Sequence, residues 1–377
     1  MTRLPLLCAG GCFLSLGLLI PAIPVHVTGV LGQGPASVGA CLAVTAVCAV
    51  LARPLAGRLA DRRSRRFAAA AGAALLALTS GAVPWTGSMP SFLACRAVAG
   101  VGEALMYVGL AAAASDHDRP GPALNGFSVA VNAGLLAGAP MAAAVAALAG
   151  PPAVWAVSAA VAAVAFAACL FLPDTRDGRD GTAGAGERHR SGAGVHRAGL
   201  VPGLAYWASV WGYTAFSAFL PLHLAALGGG SGPHFLVYGC VLLAVRVGGH
   251  RALARIPARG TATAALLLTA AGLVMFVAWP TVAGALCATA VLAAGQALGL
   301  PAFLTMAVTG VLSGQRGSAV ATTTAFFDLG FLSAALALGA VAQSHGLALG
   351  FAVAACVAGL APLLLSLHPE ASRRRTS

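Results

Sequence analysis

The sequence predicts an all-α membrane protein with twelve transmembrane helices, arranged as two pseudo-symmetric bundles of six. Three observations support this fold class: an apolar composition, long apolar runs separated by short charged segments, and motifs that recur between the two halves. Of the 377 residues, 59% are hydrophobic and only 8% are charged, and the mean hydropathy is +0.88. A water-soluble domain of this size could not cover so much apolar surface, so we expect the lipid bilayer to be the solvent.

Twelve apolar runs are long enough to cross the hydrocarbon core as helices. They are predicted at residues 4–24, 36–56, 67–85, 91–114, 123–148, 152–172, 200–225, 234–252, 261–279, 281–311, 318–341 and 346–367. All 22 basic residues are arginine, and with the N-terminus inside, 20 of them fall in cytoplasmic segments. Since Arg-rich segments stay on the cytoplasmic side, this bias supports both the number of spans and their direction. It also explains the net charge of +12 without nucleic acid as a partner.

The two halves of the chain repeat each other. Pro24-Val25-His26-Val27 at the end of the first span matches Pro221-Leu222-His223-Leu224 at the end of the seventh, an offset of 197 residues. Such an internal repeat is typical of transporters whose halves are related by an axis along the membrane normal. We therefore expect an N-terminal six-helix bundle at 1–172, a cytoplasmic linker at 173–199, a C-terminal six-helix bundle at 200–368 and a cytoplasmic tail at 369–377.

A dense cluster of charge separates the second and third spans, with the sequence Gly57-Arg58-Leu59-Ala60-Asp61-Arg62-Arg63-Ser64-Arg65-Arg66. We predict that it forms a short cytoplasmic loop. Its pattern, G-x-x-x-D-R-x-x-R-R, resembles the loop motif of the major facilitator superfamily. Arg96 to Gly102 also fits that family's R-x-x-x-G-x-G pattern, and together with Phe326-Phe327-Asp328-Leu329-Gly330 it looks most like the arabinose-efflux-permease and drug-efflux type of bacterial member.

This resemblance implies the major facilitator fold, a transport function and a conformational latch at the cytoplasmic side. The residues assigned to the latch are Gly57, Asp61, Arg62, Arg65 and Arg66. A carboxylate such as Asp61 gains energy near a helix N-terminus, which gives the latch a physical basis. The alternative is that the arginines only anchor the segment on the inner side of the membrane.

Only two of the ten acidic residues, Glu103 and Asp328, fall inside predicted spans, and each occupies a repeat position held by an amide in the other half. Glu103 matches Gln296 at an offset of 193 residues, and Asn132 matches Asp328 at an offset of 196. A charge in hydrocarbon is costly unless it is paired, protonated or hydrated. Burial favours the protonated carboxyl and a nearby arginine favours the carboxylate, so an acid that alternates between these surroundings can carry a proton.

The intramembrane arginines Arg96 and Arg246 are the candidate alternating partners of these two acids. Arg96 and Glu103 are seven residues apart and therefore share a helix face, about 10 Å apart along the axis. The alternative is a permanent structural ion pair that joins helices. We predict that Glu103, Asp328, Arg96 and Arg246 form the proton-coupling group.

The substrate path should run near the midplane of the membrane. Its candidate lining residues are Tyr107, Asn132, Tyr206, Trp207, Trp211, Tyr213 and Gln296. Aromatic rings offer a stacking surface for flat or amphiphilic solutes. For Tyr206 and Trp207 the alternative is anchoring at the lipid interface.

The function predicted is proton-coupled export of a small amphiphilic solute or drug by alternating access. A proton-coupled importer or a uniporter of a sugar or small organic acid is the alternative, and a channel or a receptor on the same fold is more remote. No H-E-x-x-H or G-x-S-x-G pattern occurs, and the nine cysteines lie in apolar runs without C-x-x-C spacing, so we expect no enzyme, no metal and no cofactor. The expected partners are the solute, protons and lipid, for a monomer in the bacterial cytoplasmic membrane with both termini inside.

Overall fold

The computed structural model describes residues 4–115, 120–173, 196–248, 256–309, 311 and 316–366. These residues are almost entirely helical and contain no strand, and ten of their helices are long and apolar enough to cross a membrane. The predicted all-α membrane fold is confirmed. Most of the predicted linker (174–195) and the predicted tail (369–377) lie outside the described residues.

The helices follow the predicted spans to within a few residues, apart from the ends described below. The first half contains α1 (Leu4–Val25, continued by a π-helical turn at His26–Val30), α2 (Pro35–Arg62), α3 (Arg65–Ala82), α4 (Met89–Ser115), α5 (Pro120–Ala149) and α6 (Pro151–Leu170). The second half contains α7 (Leu200–Thr214), a π-helical segment (Ala215–Phe219), α8 (Leu220–Ala226), α9 (Gly232–Gly248), α10 (Ala258–Ala278), α11 (Val282–Val308), α12 (Arg316–His345) and α13 (Leu347–Ser366). Because α7, the π-helical segment and α8 follow one another directly, together they form the predicted seventh span.

The charged cluster between the second and third spans is not the loop that the sequence predicts. α2 continues to Arg62 and α3 begins at Arg65, so two residues make the whole connection. The reason is local: Arg, Leu and Ala are good helix formers, and a single glycine does not end a helix. Ser64 then caps α3 by accepting a hydrogen bond of 3.0 Å from the backbone N–H of Phe67.

The chain divides into two compact units, Met1–Glu187 with Gly230–Leu236 and Arg188–Gly229 with Val237–Ser377. The backbone repeats between the two halves of the sequence. Gly32 and Gly228 both have a positive φ, as do Gly150 and Gly346, and the members of each pair are 196 residues apart. Since a residue without a Cβ adopts this conformation without strain, the repeat includes the glycines that end the helices.

In the first unit, α1 and α5 pack backbone against backbone. Gly17 on α1 lies directly against Gly138 on α5, and a Cβ added at Gly134 would lie 2.5 Å from the carbonyl oxygen of Gly10. Small residues at such crossings let two membrane helices approach closely enough for extensive van der Waals contact. The glycines of α5 therefore serve helix packing in this unit.

In each unit a buried histidine packs against aromatic rings at equivalent positions of the repeat. The ring of His26 lies 5.5 Å from Trp155 in the first unit, and the ring of His223 lies 5.3 Å from Phe351 in the second. His26 and His223 are 197 residues apart, and Trp155 and Phe351 are 196 apart. The internal repeat thus extends from the backbone into the two hydrophobic cores.

Candidate functional site

The first unit buries a charged side chain, Arg96 of α4, which is only 5% exposed. Its Nε donates a hydrogen bond of 3.2 Å to the hydroxyl of Thr45 on α2, and that hydroxyl in turn donates to the carbonyl of Cys41. The charge of Glu103, seven residues further along α4, acts on the Arg96 guanidinium. Arg96 and Glu103 lie seven residues apart on α4, and the structure adds Thr45, a hydrogen-bond partner of Arg96 that is 51 residues away in sequence.

Gln296, the repeat counterpart of Glu103, has a different environment in the second unit. Its side-chain nitrogen lies 3.1 Å from each of three oxygens: the carbonyl and the hydroxyl of Ser209 on α7, and the hydroxyl of Thr269 on α10. An amide nitrogen has only two hydrogens to donate, so this group is fully engaged. In this structure Gln296 joins three helices and has no N–H left for a solute.

The two tryptophans of α7 are also engaged in packing. The indole N–H groups of Trp207 and Trp211 both donate to the hydroxyl of Ser333 on α12, at 3.0 and 3.2 Å, and their rings lie 5.2 Å apart. Trp211 is 8% exposed. A buried indole usually finds a hydrogen-bond partner of this kind, so the pair holds α7 to α12. The sequence favoured Trp211 as a path residue and contains no signal for Ser333.

The remaining candidates for the substrate path differ in exposure. Tyr107 on α4 is 43% exposed, and its ring centroid lies 5.5 Å from that of Phe127 in an edge-to-face arrangement, whereas Asn132 on α5 is half-buried. The ring of Tyr206 packs between other aromatic rings of the second unit rather than standing alone at an interface. Its ring neighbours are Phe303 at 5.8 Å and Phe327 at 5.7 Å.

Tyr213 belongs to a group of rings where α7 meets α9. Tyr238 of α9 stacks on Phe216 of the π-helical segment with 4.6 Å between ring centroids, and Tyr213 lies 6.3 Å from Tyr238. Tyr238 and Phe216 were not among the candidates from the sequence, because neither is distinguished by spacing from an ordinary core aromatic. We call Tyr213, Phe216 and Tyr238 the aromatic wall.

Arg246, the second arginine predicted to lie in the membrane, is in the last turn of α9. Its side chain is half-buried, and its Nε is fully buried without a hydrogen-bond partner among the described residues. Arg246 follows Tyr238 by eight residues, about two turns along the same face of α9. The other predicted acid, Asp328 on α12, is half-buried and makes interactions of its own.

The predicted latch residues lie at the connection between α2 and α3. Arg65 donates from its guanidinium to the carbonyl of Ala60 at 3.1 Å, while Arg62 and Arg66 are exposed. A Cβ at Gly57 would meet no atom within 4 Å. The side chain of Asp61 lies outside the described residues. Among the residues that the structure describes, no three His, Cys, Asp or Glu side chains are grouped so as to hold a metal ion.

Comparison with known proteins identifies the fold. The model of the Major Facilitator Superfamily matches residues 6–311 of the chain. No curated protein matches the chain in sequence.

Solved structures with the same fold transport different solutes. A mutant form of the nucleoside transporter NupG superposes with a TM-score of 0.80 at 13% identity, covering 97% of this chain and 99% of the other. The inward-open xylose transporter XylE from E. coli gives 0.75 at 14% identity and covers 99% and 97%, and the human organic anion transporter MFSD10 gives 0.66 at 18% identity and covers 96% and 98%. At these identities the likeness establishes only the fold. On the family match, the chain belongs to the Major Facilitator Superfamily.

Proposed function

We propose that this protein is a secondary active transporter that exports a small amphiphilic solute by proton-coupled alternating access. The observation that carries the proposal is the buried group formed by Arg96, Glu103 and Thr45. Family membership supports a transporter rather than an enzyme. The structural neighbours named for nucleosides, xylose and organic anions leave the solute open.

The buried group has the chemistry that proton coupling requires. Glu103 is half-buried in a membrane helix, and its charge is compensated by Arg96, whose Nε is held by Thr45. A carboxylate in this setting is stable while the guanidinium is near, and it must take up a proton when the two separate. A rearrangement of α2 against α4 would break the hydrogen bond between Thr45 and the Arg96 Nε and free the guanidinium to turn away from Glu103 on the same helix, so proton uptake and release would follow the conformational cycle. Asp328 is the corresponding candidate in the second unit.

Proton release from everted membrane vesicles with an acidic interior tests this function. We expect a transported solute, added outside, to release protons, and we expect Glu103→Gln or Asp328→Asn to abolish the release. Asp177→Asn, which removes an acid from the predicted linker, is the matched control and should behave as wild type. Retention of full gradient-driven transport by both Glu103→Gln and Asp328→Asn would rule out the coupling assigned to these acids.

A proton-coupled importer or a uniporter of a sugar or small organic acid is the second candidate. The half-buried Arg246 favours it for organic acids, because a guanidinium binds carboxylates in a defined geometry. The same vesicles distinguish the two directions. Export into the vesicle interior against a solute gradient supports the first candidate, and downhill movement that ignores the proton gradient supports a uniporter.

We also propose that Asp61, with Gly57, Arg62, Arg65 and Arg66, latches the transporter on the cytoplasmic side. The two-residue connection between α2 and α3 keeps Arg62, Arg65 and Arg66 within one short stretch of backbone, and the open space at Gly57 leaves room for a closely packed partner. Asp61→Asn should abolish transport while the protein still reaches the membrane, and Asp177→Asn again serves as the control. Unchanged transport by Asp61→Asn would contradict the latch.

The arginine distribution supports an orientation with both termini inside and bundles at 1–172 and 200–368, joined by a linker at 173–199 and followed by a tail at 369–377. On the family resemblance, we propose that the protein is a monomer in the bacterial cytoplasmic membrane. Reporter fusions at the two termini test the orientation. A reporter that is active only outside the cytoplasm should be silent at both ends, and activity at either end would contradict the proposed topology.

A further inference from the structure

A groove opens in the first unit where the beginning of α3 meets the end of α6. It has a volume of about 510 Å³, within the range of about 300–1,000 Å³ typical of ligand sites in proteins. The residues that line it are Arg63, Ser64, Arg66, Phe67, Ala70 and Leu170. Both helix ends lie on the side predicted to be cytoplasmic, where the headgroups of the inner leaflet meet the protein. The groove therefore faces phospholipid headgroups rather than the predicted substrate path.

Two arginines line one side of the groove. Arg63 and Arg66 are both exposed, and the guanidinium carbon of Arg63 lies 4.6 Å from the centroid of the Phe67 ring. This cation–π contact holds the Arg63 charge beside the groove. A guanidinium above an aromatic ring still presents its N–H donors at the edge of its own plane. Two such groups at one site favour an anion with several acceptor oxygens.

The rest of the groove is apolar. Ala70 lies on the same face of α3 as Arg66, four residues and about 6 Å further along the helix, and it is 5% exposed. Phe67 is 39% exposed, and Leu170, the last residue of α6, is 48% exposed. A pair of arginines beside exposed apolar side chains suits a ligand that has both a charged and an apolar part.

We propose that this groove binds an anionic phospholipid, with its phosphate at Arg63 and Arg66 and the beginning of an acyl chain against Phe67 and Leu170. Guanidinium groups hold phosphate through charge-assisted, bidentate hydrogen bonds. Basic pockets between membrane helices on the cytoplasmic side suit anionic headgroups, which the inner leaflet supplies. A soluble phosphate would match the arginines but leave the apolar side of the groove in water, and for that reason the groove favours a lipid.

A lipid in this groove contacts the connection between α2 and α3 as well as the end of α6. Arg63 belongs to the two-residue connection, and Arg66 is also a residue of the proposed latch. The bound lipid therefore ties this connection to α6 within the first unit. The inference goes beyond the proposed function and does not depend on the solute or on proton coupling, because lipid binding is measured without transport.

Native mass spectrometry of the purified full-length protein, released from neutral-detergent micelles that contain lipid, tests the site. Phosphatidylglycerol and phosphatidylcholine with the same acyl chains share the phosphate, but only the first has a net charge. The wild type should retain phosphatidylglycerol about 25-fold more tightly, since each arginine contributes about a factor of five. Glycerol phosphate and inorganic phosphate lack the chains and should bind at least about 10-fold more weakly than phosphatidylglycerol.

Variants of the lining residues locate the lipid. Arg63→Gln and Arg66→Gln should each weaken retention of phosphatidylglycerol about fivefold, and the double variant should retain the two lipids equally. Arg63→Lys keeps the charge, should lose less than Arg63→Gln, and covers the case in which Arg63→Gln does not fold. Leu170→Gln should weaken both lipids alike. The matched control is Arg58→Gln, which removes an exposed arginine of α2 outside the groove and should behave as wild type.

Three outcomes overturn the inference: equal retention of both lipids by the wild type, unchanged retention of phosphatidylglycerol by the double variant, or the same loss in Arg58→Gln as in Arg63→Gln. The last would show a general attraction to basic surface rather than a site. Inorganic phosphate or glycerol phosphate that binds as tightly as phosphatidylglycerol would also contradict a lipid site. Failure of the proposed function has a different signature, because a protein that retains phosphatidylglycerol but moves no protons in vesicles would contradict coupled transport and leave the lipid site intact.

Discussion

The two arginines predicted to lie in the membrane, Arg96 and Arg246, differ in how the protein surrounds their charge. Arg96 in the first unit is 5% exposed, is bonded to Thr45 and is acted on by Glu103. Arg246 in the second unit is half-buried, and its Nε has no hydrogen-bond partner among the described residues. A buried charge must be compensated from somewhere. The first arginine interacts with Thr45 and Glu103 within the protein, which suits a coupling group, whereas no described residue bonds to the Nε of the second.

The largest loss of stability should come from removing one charge of the Arg96 and Glu103 pair. Glu103→Gln leaves the Arg96 charge in the helix bundle without its carboxylate, and we expect the unfolding free energy to fall by about 3 kcal/mol. Arg96→Gln should cost a similar amount. The double variant should be less destabilised than the sum, because neither charge is then left alone. Denaturant unfolding of all four proteins in one detergent measures this cycle, and strictly additive losses would show that the two residues are independent.

A smaller decrease in stability is expected when the hydroxyl that accepts the hydrogen bond of Arg96 is removed. Thr45→Val keeps the shape of the side chain but removes the acceptor of the Arg96 Nε, and this should destabilise the protein by about 1.5–3 kcal/mol. Thr305→Val is the matched control, because the Thr305 hydroxyl bonds only to a carbonyl of its own helix and is exposed. Equal unfolding curves for Thr45→Val and Thr305→Val would remove Thr45 from the site.

Replacing Arg246 should raise the unfolding free energy, whereas replacing Arg96 should lower it. Arg246→Met keeps an apolar stem of similar length and removes the under-compensated charge, so we expect a gain in unfolding free energy of about 1 kcal/mol in the absence of solute. Thermal unfolding of the purified protein detects this, with Arg197→Met as the exposed control. A marked loss of stability in Arg246→Met would mean that the arginine is compensated within the protein after all.

The fold was largely predictable because apolar runs of membrane length and a repeat near 196 residues are explicit in the sequence. The same offset reappears in the paired glycines Gly32 and Gly228. The charged segment was wrongly predicted as a loop, since α2 continues to Arg62. Charge density indicates the side of the membrane but does not end a helix.

The site was predictable only in part. Polar residues in apolar runs single out Arg96, Glu103 and Arg246, and helical spacing places the first two on one face. Thr45 and Ser333 could not be found this way, because these helices are apolar on all sides and periodicity therefore does not reveal which face meets which neighbour. The engagement of Gln296 with Ser209 and Thr269 likewise depends on packing between helices that are distant in sequence.

The most direct test of the different roles of the two arginine sites compares solute exchange with gradient-driven accumulation in proteoliposomes, using a labelled solute that triggers proton release in the vesicle assay. Exchange at equal proton activity requires only binding and alternating access, whereas accumulation also requires coupling. We predict that Glu103→Gln keeps exchange and loses accumulation, and that Arg246→Gln loses both. The same phenotype in the two variants, or exchange that survives in Arg246→Gln and disappears in Glu103→Gln, would contradict this assignment of roles.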